Sequence, residues 1–516
     1  MYKLGIDVGG TNTDAVLIDD KLNVVADIKY PTSKDIYDGI LGAVRTVLDS
    51  SGVNRKEITQ AMLGTTQCTN AIVERKHLEK IAIIRIGAPA TAGIPPMVDW
   101  PADIQQIVAD AIIIGGGYEY DGKEIAPLDE EAARGFLERV RGKVHSIAIS
   151  CVFSTIREDH ERRIAALCRE VLGEDIHTSI SCEIGSMGLI ERENATILNA
   201  ALYQVAERFT DGFARSLADE GVTNAEIYLS QNDGTLMTME HARKYPILTI
   251  ACGPTNSIRG ASYLSKIRNA IVIDVGGTTT DFGVIQNGFP RESSVAVTIG
   301  GVRTNFRMPD IVSIGLGGGS IVRQLPDGQV TVGPDSVGYQ ITSKALVFGG
   351  DTVTATDIAV RLGMAQVGDP AKVADLDLDL AQKALQAIQN LVEDCIDTMK
   401  VSNADVDAVL VGGGSIILPK TMAGTSSVSK PDHFGCANAI GSAISKVSGN
   451  YEKLVDYDEI PRETALEQAK KEAIALSVAA GAIPDTVEII EVEDVPLAYY
   501  AGNTSRVKIK AAGDLA

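Results

Sequence analysis

Residues 6–14 read IDVGGTNTD and residues 273–281 read IDVGGTTTD, so one string occurs twice and differs only at Asn12 and Thr279. Apolar residues flank both copies: YKLG precedes and AVLI follows the first, and AIV precedes and FGVI follows the second. Each copy therefore predicts a strand, a glycine turn and a returning strand. Because the repeat includes its flanks, we infer a duplicated domain.

The rest of the chain alternates strand-like and helix-like segments, which is the pattern of α/β domains. The segment 36–50 has helical periodicity, and 61–75 reads as a strand, a glycine turn and a helix. The segments 88–128 and 421–435 are rich in Pro, Gly or Ser and read as insertions or linkers. A helix over 462–481 and two strand-like runs predict a small α+β tail.

The glycine pair in each repeat gives the motif its predicted chemistry. Two glycines at a hairpin tip let successive backbone N–H groups converge on one anion. A carboxylate just before the turn, Asp7 or Asp274, is placed to hold Mg²⁺ through water. The motif lacks the GK[ST] of a Walker loop, and a strand instead of a helix follows the glycines, unlike a dinucleotide-binding fingerprint. A plain hairpin is the alternative for one copy, but two copies favour a phosphate clamp.

A third glycine-rich motif, VLVGGGS, occupies residues 409–415. A strand that ends in three glycines can lie flat against a base or ribose, so this is the predicted adenosine loop. Another run, GLGGGS (315–320), is either a further phosphate loop or a tightly packed turn, and we favour packing.

These three motifs, in this order, resemble those of the actin/Hsp70/sugar-kinase superfamily. The resemblance implies an α/β fold with duplicated ribonuclease H-like lobes, an interlobe cleft and a small α+β C-terminal tail. It also implies ATP and Mg²⁺ as ligands.

Further motifs resemble the hydantoinase A/5-oxoprolinase family. They are LGTTQCTNAIVERK (63–76), ERENATILNAAL (191–202), SQNDG through SIRGA (230–261) and SIGLGGGSI (313–321). Leu63 and His77 stand where the family usually has His and Gly. The segment CGPTNS (252–257) replaces the usual SGPAGG, so Asn256 and Ser257 take the place of small residues. The predicted regions are 1–190 with the first phosphate loop, 191–425 with the second phosphate and adenosine loops, and a C-terminal 426–516.

The predicted site residues fall into three groups. Four carboxylates are assigned to catalysis, and the first and third of them also to the metal: Asp7, Asp14, Asp274 and Asp281. Nucleotide contacts are assigned to Gly9, Gly10, Thr11, Asn12, Thr13, Gly276, Gly277, Thr278, Thr279, Thr280, Gly412, Gly413, Gly414 and Ser415. Substrate contacts are assigned to Thr65, Thr66 and Asn70.

The resemblance implies ATP-dependent hydrolysis, or activation by carbonyl-oxygen phosphorylation, of a cyclic amide such as a hydantoin or 5-oxoproline. We expect the chain to be the ATP-binding subunit, to work with a separate hydrolytic or accessory subunit, and to form a homo-oligomer. A small-molecule kinase and a nonenzymatic ATP-dependent reactivase or regulator remain alternatives.

Composition excludes several other classes. The net charge of −21, with no basic tract, argues against nucleic-acid or anionic-membrane partners. The seven widely spaced cysteines argue against a disulfide framework or a zinc ribbon and indicate a reducing compartment. The start MYKLGIDVGG enters a strand directly, so we expect a cytoplasmic protein.

Overall fold

The computed structural model describes residues 1–10, 12–31, 36–293, 296–306, 308–497 and 502–515. Its strands, in chain order, are β1 (Tyr2–Val8), β2 (Asn12–Asp19), β3 (Val24–Pro31), β4 (Ile58–Thr65), β5 (Ile81–Ala88), β6 (Val108–Gly115), β7 (Ser146–Cys151), β8 (His177–Ile180), β9 (Glu226–Ser230), β10 (Thr235–Thr238), β11 (Ala270–Val275), β12 (Thr280–Gln286), β13 (Phe289–Pro290), β14 (Val297–Ile299), β15 (Val302–Thr304), β16 (Ile311–Ile314), β17 (Ser320–Gln324), β18 (Val330–Ser336), β19 (Val406–Val411), β20 (Thr425–Ser429), β21 (Lys446–Asp456), β22 (Glu488–Pro496) and β23 (Thr504–Gly513).

The α-helices, in chain order, are α1 (Ile36–Ser51), α2 (Gln67–Glu74), α3 (Ala102–Gln105), α4 (Glu130–Val140), α5 (Asp159–Leu172), α6 (Leu189–Ala201), α7 (Tyr203–Asp219), α8 (Met239–Lys244), α9 (Cys252–Ser265), α10 (Ile341–Lys344), α11 (Ala355–Arg361), α12 (Leu378–Met399), α13 (Ala437–Ala443) and α14 (Arg462–Ala479).

Two sheets share one topology. In the first lobe, part of the large sheet runs β3-β2-β1-β4-β9, with β1 antiparallel to β2 and parallel to β4. In the second lobe, β13 and β16 pair with β12, and the order continues β12-β11-β19-β20, again antiparallel and then parallel. The repeated motif opens both units, and the predicted duplicated, two-lobed actin-like fold is confirmed.

A four-stranded parallel sheet, ordered β6-β5-β7-β8, lies within the first half of the chain and has its own apolar core with α4 and α5. A fully buried ion pair attaches it to α6: Nε of Arg85 lies 2.7 Å from a Glu193 oxygen, which also accepts a hydrogen bond from Ser150. Because the charges are paired and hydrogen-bonded, their burial is tolerated.

Two helices cross between the lobes. Helix α9 packs its Ile258 and Ala261 into the core of the second lobe, whereas α13 packs Ala439, Ile440 and Ala443 against β2 of the first. Small residues allow the close crossing, because a Cβ on Gly260 would lie 1.9 Å from the carbonyl oxygen of Ala437. The first turns of both helices thereby reach the level of the two hairpins.

The C-terminal region extends the first lobe. Strand β21 pairs in parallel with β10, and β23 and β22 continue the same sheet outward, with α14 packed on β21 and β23. The α+β content of this region agrees with the prediction, whereas β21 is an additional strand that the sequence does not predict, because Gly449 and Lys453 interrupt the alternation of its apolar residues Val447, Tyr451 and Val455. The domain boundaries at 190 and 425 stay a prediction.

Both segments interpreted as insertions or linkers contain strands, so that interpretation is wrong. Segment 88–128 holds β6, whose AIII run (111–114) pairs in parallel with β5. Segment 421–435 holds β20, which pairs with β19. The two strands are difficult to predict from the sequence, because Pro and Gly flank β6 and Ser residues make up much of β20, a partly exposed edge strand. Within the described residues, each helix is too short or too polar to cross a bilayer.

Candidate active site

The two hairpins have the same turn. The backbone N–H of Gly9 donates to the carbonyl of Asn12 at 3.0 Å, and that of Gly276 donates to Thr279 at 2.8 Å. Gly10 has open space where a side chain would stand, so a ligand can approach the backbone there. Thr11 lies outside the described residues.

The four predicted carboxylates form two cross-strand pairs. Asp7 faces Asp14 between β1 and β2, and Asp274 faces Asp281 between β11 and β12. The register is the same in both lobes, so each hairpin carries one carboxylate on either strand. Thr13 and Thr280, the next positions toward the tips, are buried.

Asp7 is buried and held by both crossing helices. Asn256 on α9 donates through Nδ2 to one oxygen at 3.2 Å, and Asn438 on α13 donates to the other at 3.0 Å. Burial raises the pKa of Asp7 to about 6; the two amides oppose that rise, and the charges of Asp14 and Asp274 add to it. The carboxylate therefore titrates near neutral pH.

Asp14 is paired with a lysine on the neighbouring strand. Nζ of Lys29 lies 2.7 and 2.8 Å from the two oxygens of Asp14, its cross-strand partner in β2–β3. Burial raises the pKa of Asp14, and Lys29 limits the rise. Burial lowers the pKa of Lys29, but the Asp14 carboxylate outweighs that effect and the net pKa is raised.

The second hairpin has a similar electrostatic character. Burial raises the pKa of Asp274, which Ser257 on α9 and Lys29 counteract. Burial raises the pKa of Asp281 to about 6, although the hydroxyl of Ser313 donates to it. Helix α9 therefore presents Asn256 to one hairpin and the adjacent Ser257 to the other.

A glycine at the carboxyl end of the neighbouring parallel strand, Gly64 on β4 and Gly412 just after β19, makes room for the first carboxylate of each hairpin. A Cβ on Gly64 would lie 2.3 Å from Oδ1 of Asp7 and 2.4 Å from Nδ2 of Asn256. A Cβ on Gly412, whose φ is +80°, would lie 2.2 Å from Oδ1 of Asp274. Both positions require glycine, because the carboxylate fills the space that a side chain would occupy.

The predicted substrate loop lies beside the first hairpin. The backbone N–H and the hydroxyl of Thr66 donate to the carbonyl of Val8, next to Asp7. Thr65 exchanges backbone contacts with the thiol of Cys252 at the start of α9, and Asn70 donates to the Thr66 hydroxyl. The structure thus brings these three residues to Asp7 and the first turn of α9.

The predicted adenosine loop lies against the second hairpin. A Cβ on Gly414 would lie 2.2 Å from the carbonyl oxygen of Gly276, and Gly413 is exposed beside Lys29. The hydroxyl of Ser415 is buried and has no hydrogen-bond partner among the described residues.

The run GLGGGS packs on the same hairpin, as expected. Gly318 and Gly319 donate their N–H groups to the carbonyls of Gly276 and Gly277, at 3.0 and 2.8 Å. A Cβ on Gly317 would lie 2.6 Å from the backbone of Gly277. This run therefore packs against the backbone of the second hairpin and holds it in place.

Sequence reasoning missed two residues of the site, Lys29 and Asn438. The signal for Lys29 is the register between β2 and β3: once these two strands are paired, Lys29 lies directly opposite Asp14. Asn438 has no such signal, because only the crossing of α13 under β1 brings it to Asp7. Asn256 and Ser257 were noticed as departures from the family pattern, but their partners were not predicted.

The cysteines near the site are poor nucleophiles. All seven in the chain are free thiols. Cys68 is buried in α2, and burial raises its pKa to about 12; burial likewise raises that of Cys252. A thiolate at neutral pH is therefore disfavoured at both positions.

The arrangement fits a polyphosphate with a hydrated divalent cation. Open backbone at a glycine tip, a partnerless buried Ser415 hydroxyl and several carboxylates supply donors to phosphate and oxygen ligands to metal. In the described part of the chain, no three His, Cys, Asp or Glu side chains converge as a metal cage. Mg²⁺, which keeps several waters and takes one or two protein carboxylates, suits such a donor set.

Comparison with known proteins agrees with this architecture. The Hydantoinase/oxoprolinase N-terminal region matches residues 3–172, and Hydantoinase/oxoprolinase matches residues 192–407. The caprolactamase subunit alpha of Pseudomonas jessenii is 28% identical over 70% of this chain and 54% of its own length. The acetone carboxylase beta subunit of Xanthobacter autotrophicus is 25% identical over 70% of this chain and 54% of its own length.

The crystal structure of the ATP-dependent caprolactamase from Pseudomonas jessenii superposes with a TM-score of 0.79, at 20% identity, over 99% of this chain and 87% of that one, and so shares the fold. The chain spans little more than half the length of the two curated relatives. Two models of one family together cover most of the chain, in the order of its two lobes. The chain belongs to the hydantoinase/oxoprolinase family.

Proposed function

We propose that this chain binds Mg²⁺-ATP between its two hairpins and uses it to activate a cyclic amide for hydrolysis. The observation that carries the proposal is the pair of equivalent hairpins, each with a carboxylate before the glycine turn, that meet at crossing helices. A relative described as a caprolactamase subunit supports the choice of a cyclic amide.

In this proposal, the backbone at Gly9, Gly10, Gly276 and Gly277 contacts the phosphates, and the 412–415 loop contacts the adenosine. Asp7 and Asp274 would hold the metal through water, and Mg²⁺ would supply positive charge beside the phosphates. Asp14 and Asp281 remain the less central members of each pair. Thr65, Thr66 and Asn70 face the substrate.

The chemistry follows from the inertness of amides. Resonance makes the carbonyl carbon of a lactam a poor electrophile. Transfer of the terminal phosphoryl group of ATP to the amide oxygen breaks one P–O bond, forms another and releases ADP. Water then attacks the carbon and the ring C–N bond opens, which leaves a free amine and an acyl phosphate. A second water hydrolyses the acyl phosphate to a carboxylate and phosphate. Positioning and charge stabilisation are what a protein contributes to phosphoryl transfer.

A second subunit belongs to the proposal. The described caprolactamase and acetone carboxylase relatives are themselves subunits, and this chain spans about half their length. The hydrolytic step is therefore assigned to a partner chain, and a homo-oligomer of this chain remains an expectation. The acetone carboxylase relative favours one second candidate, in which the same phosphoryl transfer activates a ketone for carboxylation.

The test is ADP formation from Mg²⁺-ATP by the purified chain in the presence of lactams, hydantoins, 5-oxoproline, or ketones with bicarbonate, because ADP forms at the phosphoryl transfer itself. We expect one cyclic amide to stimulate ADP formation, and Asp7→Asn and Asp274→Asn to abolish it. The exposed Asp351→Asn, outside the hairpins, serves as control and keeps the activity.

Each other outcome selects an alternative. Stimulation by a ketone supports the carboxylation candidate, and a stable phosphorylated product with an intact ring supports a kinase. Turnover that responds only to a protein client supports a regulator. Absence of Mg²⁺-ATP binding would contradict the proposal itself.

A further inference from the structure

Lys29 is the charged residue of the site that lies outside every sequence motif. It sits on β3, an edge strand of the first lobe, and its ammonium contacts both oxygens of Asp14 at 2.7 and 2.8 Å. Its side chain is 36% exposed, whereas that of Asp14 is 5% exposed. The Lys29 side chain is therefore partly open to solvent, whereas the carboxylate that it contacts is buried.

The stem of Lys29 also contacts the second lobe. A Cβ on Gly413 would lie 3.7 Å from Cε of Lys29, and one on Gly435 would lie 3.6 Å from it. Just before Lys29, two further contacts join β3 to the same segment of the chain: Asp27 lies 3.1 Å from His433, and the carbonyl of Ile28 accepts a hydrogen bond from Cys436. The ammonium thus stands where the first hairpin meets the glycine loop of the second lobe.

The surrounding charge is negative. The four hairpin carboxylates face a ligand that is itself an anion, and among the described residues Lys29 is the cation paired with any of them. Backbone dipoles and Mg²⁺ offset part of this repulsion. An ammonium at this position would offset more of it, because a charge-assisted hydrogen bond to phosphate is about twice as strong as a neutral one.

We propose that Lys29 contacts the phosphate chain of the bound nucleotide, with its ammonium shared between Asp14 and a phosphate oxygen. This inference rests on the proposed function only in requiring a nucleotide in the cleft; it requires neither a cyclic amide nor a partner subunit. Asp14 then acts as the residue that positions the ammonium.

A purely structural ion pair between β2 and β3 is the competing explanation. A partly exposed ion pair contributes little to stability, and its loss would not change the affinity for one ligand more than for another. The two explanations differ in whether loss of the ammonium changes affinity for phosphates in particular.

The experiment is calorimetric titration of Mg²⁺-ATP, Mg²⁺-ADP and adenosine into wild type, Lys29→Met and Lys29→Arg. Lys21→Met, an exposed lysine on the turn between β2 and β3, is the control. We expect Lys29→Met to lower the affinity for Mg²⁺-ATP by about 10- to 100-fold, which is the loss expected when a hydrogen bond to a charged group is removed. Adenosine affinity should be unchanged, Lys29→Arg should restore part of the ATP affinity, and Lys21→Met should match wild type.

A second measurement uses the wild-type chain and does not depend on how the variants fold. Mass spectrometry after lysine-selective acylation should show that Mg²⁺-ATP protects Lys29 and that adenosine does not. Unchanged ATP affinity in Lys29→Met, or acylation of Lys29 unaffected by ATP, would overturn the inference while leaving the proposed function intact. If the wild-type chain bound no Mg²⁺-ATP, the inference about Lys29 and the proposed function would both be wrong.

Discussion

The side-chain amide of Asn256 donates a hydrogen bond of 3.2 Å to the carboxylate of Asp7, although 249 positions of sequence separate them. Asn256 is the fifth residue of α9, the helix that packs on the second lobe, whereas Asp7 is the next-to-last residue of the first strand of the first lobe. The bond therefore joins the two lobes at the carboxylate proposed to hold Mg²⁺.

Loss of the hydrogen bond between Asn256 and Asp7 should move the acid limb of the pH–rate profile for ATP hydrolysis to higher pH. The Asn256 amide lowers the pKa of Asp7, so Asn256→Ala should raise that pKa above its present value of about 6. The ionised form then requires a higher pH, and the acid limb of ATP hydrolysis should move up by about one pH unit. The pH–rate profile measures this. Asn438→Ala should act in the same direction, and the exposed Asn390→Ala should leave the profile in place.

The ionised carboxylate of Asp7 should lower the free energy of unfolding at neutral pH. Its pKa rises from 3.8 unfolded to about 6 folded, so the folded state binds the extra proton between these values. Stability linked to this group is therefore present at low pH and lost as pH rises through about 4 to 6. Asp7→Asn should be more stable than wild type at pH 7 by on the order of 2–3 kcal/mol, with no gain near pH 4.

Urea unfolding of wild type and Asp7→Asn across this pH range checks the prediction. The amide at position 7 can be accommodated, because Oδ1 of Asn256 has no hydrogen-bond partner within the part of the chain that the structure describes and can accept a hydrogen bond from the new amide if that amide turns over. A stability difference that stays constant from pH 4 to pH 7 would contradict the linkage.

The two space-making glycines should tolerate no methyl group. Gly64→Ala and Gly412→Ala would place Cβ 2.3 and 2.2 Å from the Oδ1 atoms of Asp7 and Asp274, and both should lose most nucleotide hydrolysis. Gly212→Ala in α7 is the matched control, since its Cβ meets nothing within 4 Å. There we expect full activity and a gain of about 0.5–1 kcal/mol in stability. Normal activity in Gly64→Ala would show that Asp7 need not be placed as described.

A buried lysine should tie the C-terminal strands to both lobes. Nζ of Lys510 lies 3.0 Å from Asp233 in the first lobe and 3.0 Å from Glu292 in the second, with 3% of its side chain exposed. Lys510→Met leaves these carboxylates without this buried cation and should destabilise the fold by about 3–5 kcal/mol. Lys470→Met, which breaks the exposed pair with Glu467, should change stability by less than about 1 kcal/mol. Denaturant unfolding compares the two, and equal effects would refute the bridging role.

The sequence alone determined the repeated hairpins and hence the duplicated fold. A glycine turn between two apolar strands is a local structure, closed by bonds such as Gly9 to Asn12 that span three positions. Its two copies fixed which carboxylates face each other, because cross-strand register follows from the turn.

Only the tertiary structure decided what surrounds those carboxylates. Asn256 and Asn438 reach Asp7 across 249 and 431 positions because small residues let α9 and α13 cross closely between the lobes. Lys29 meets the glycine loop of the second lobe for the same reason, and β21 to β23 join the first lobe's sheet through an edge that no local pattern marks. Hairpins are encoded within a few residues, whereas helix crossing, burial and the pKa values that follow depend on contacts between distant segments.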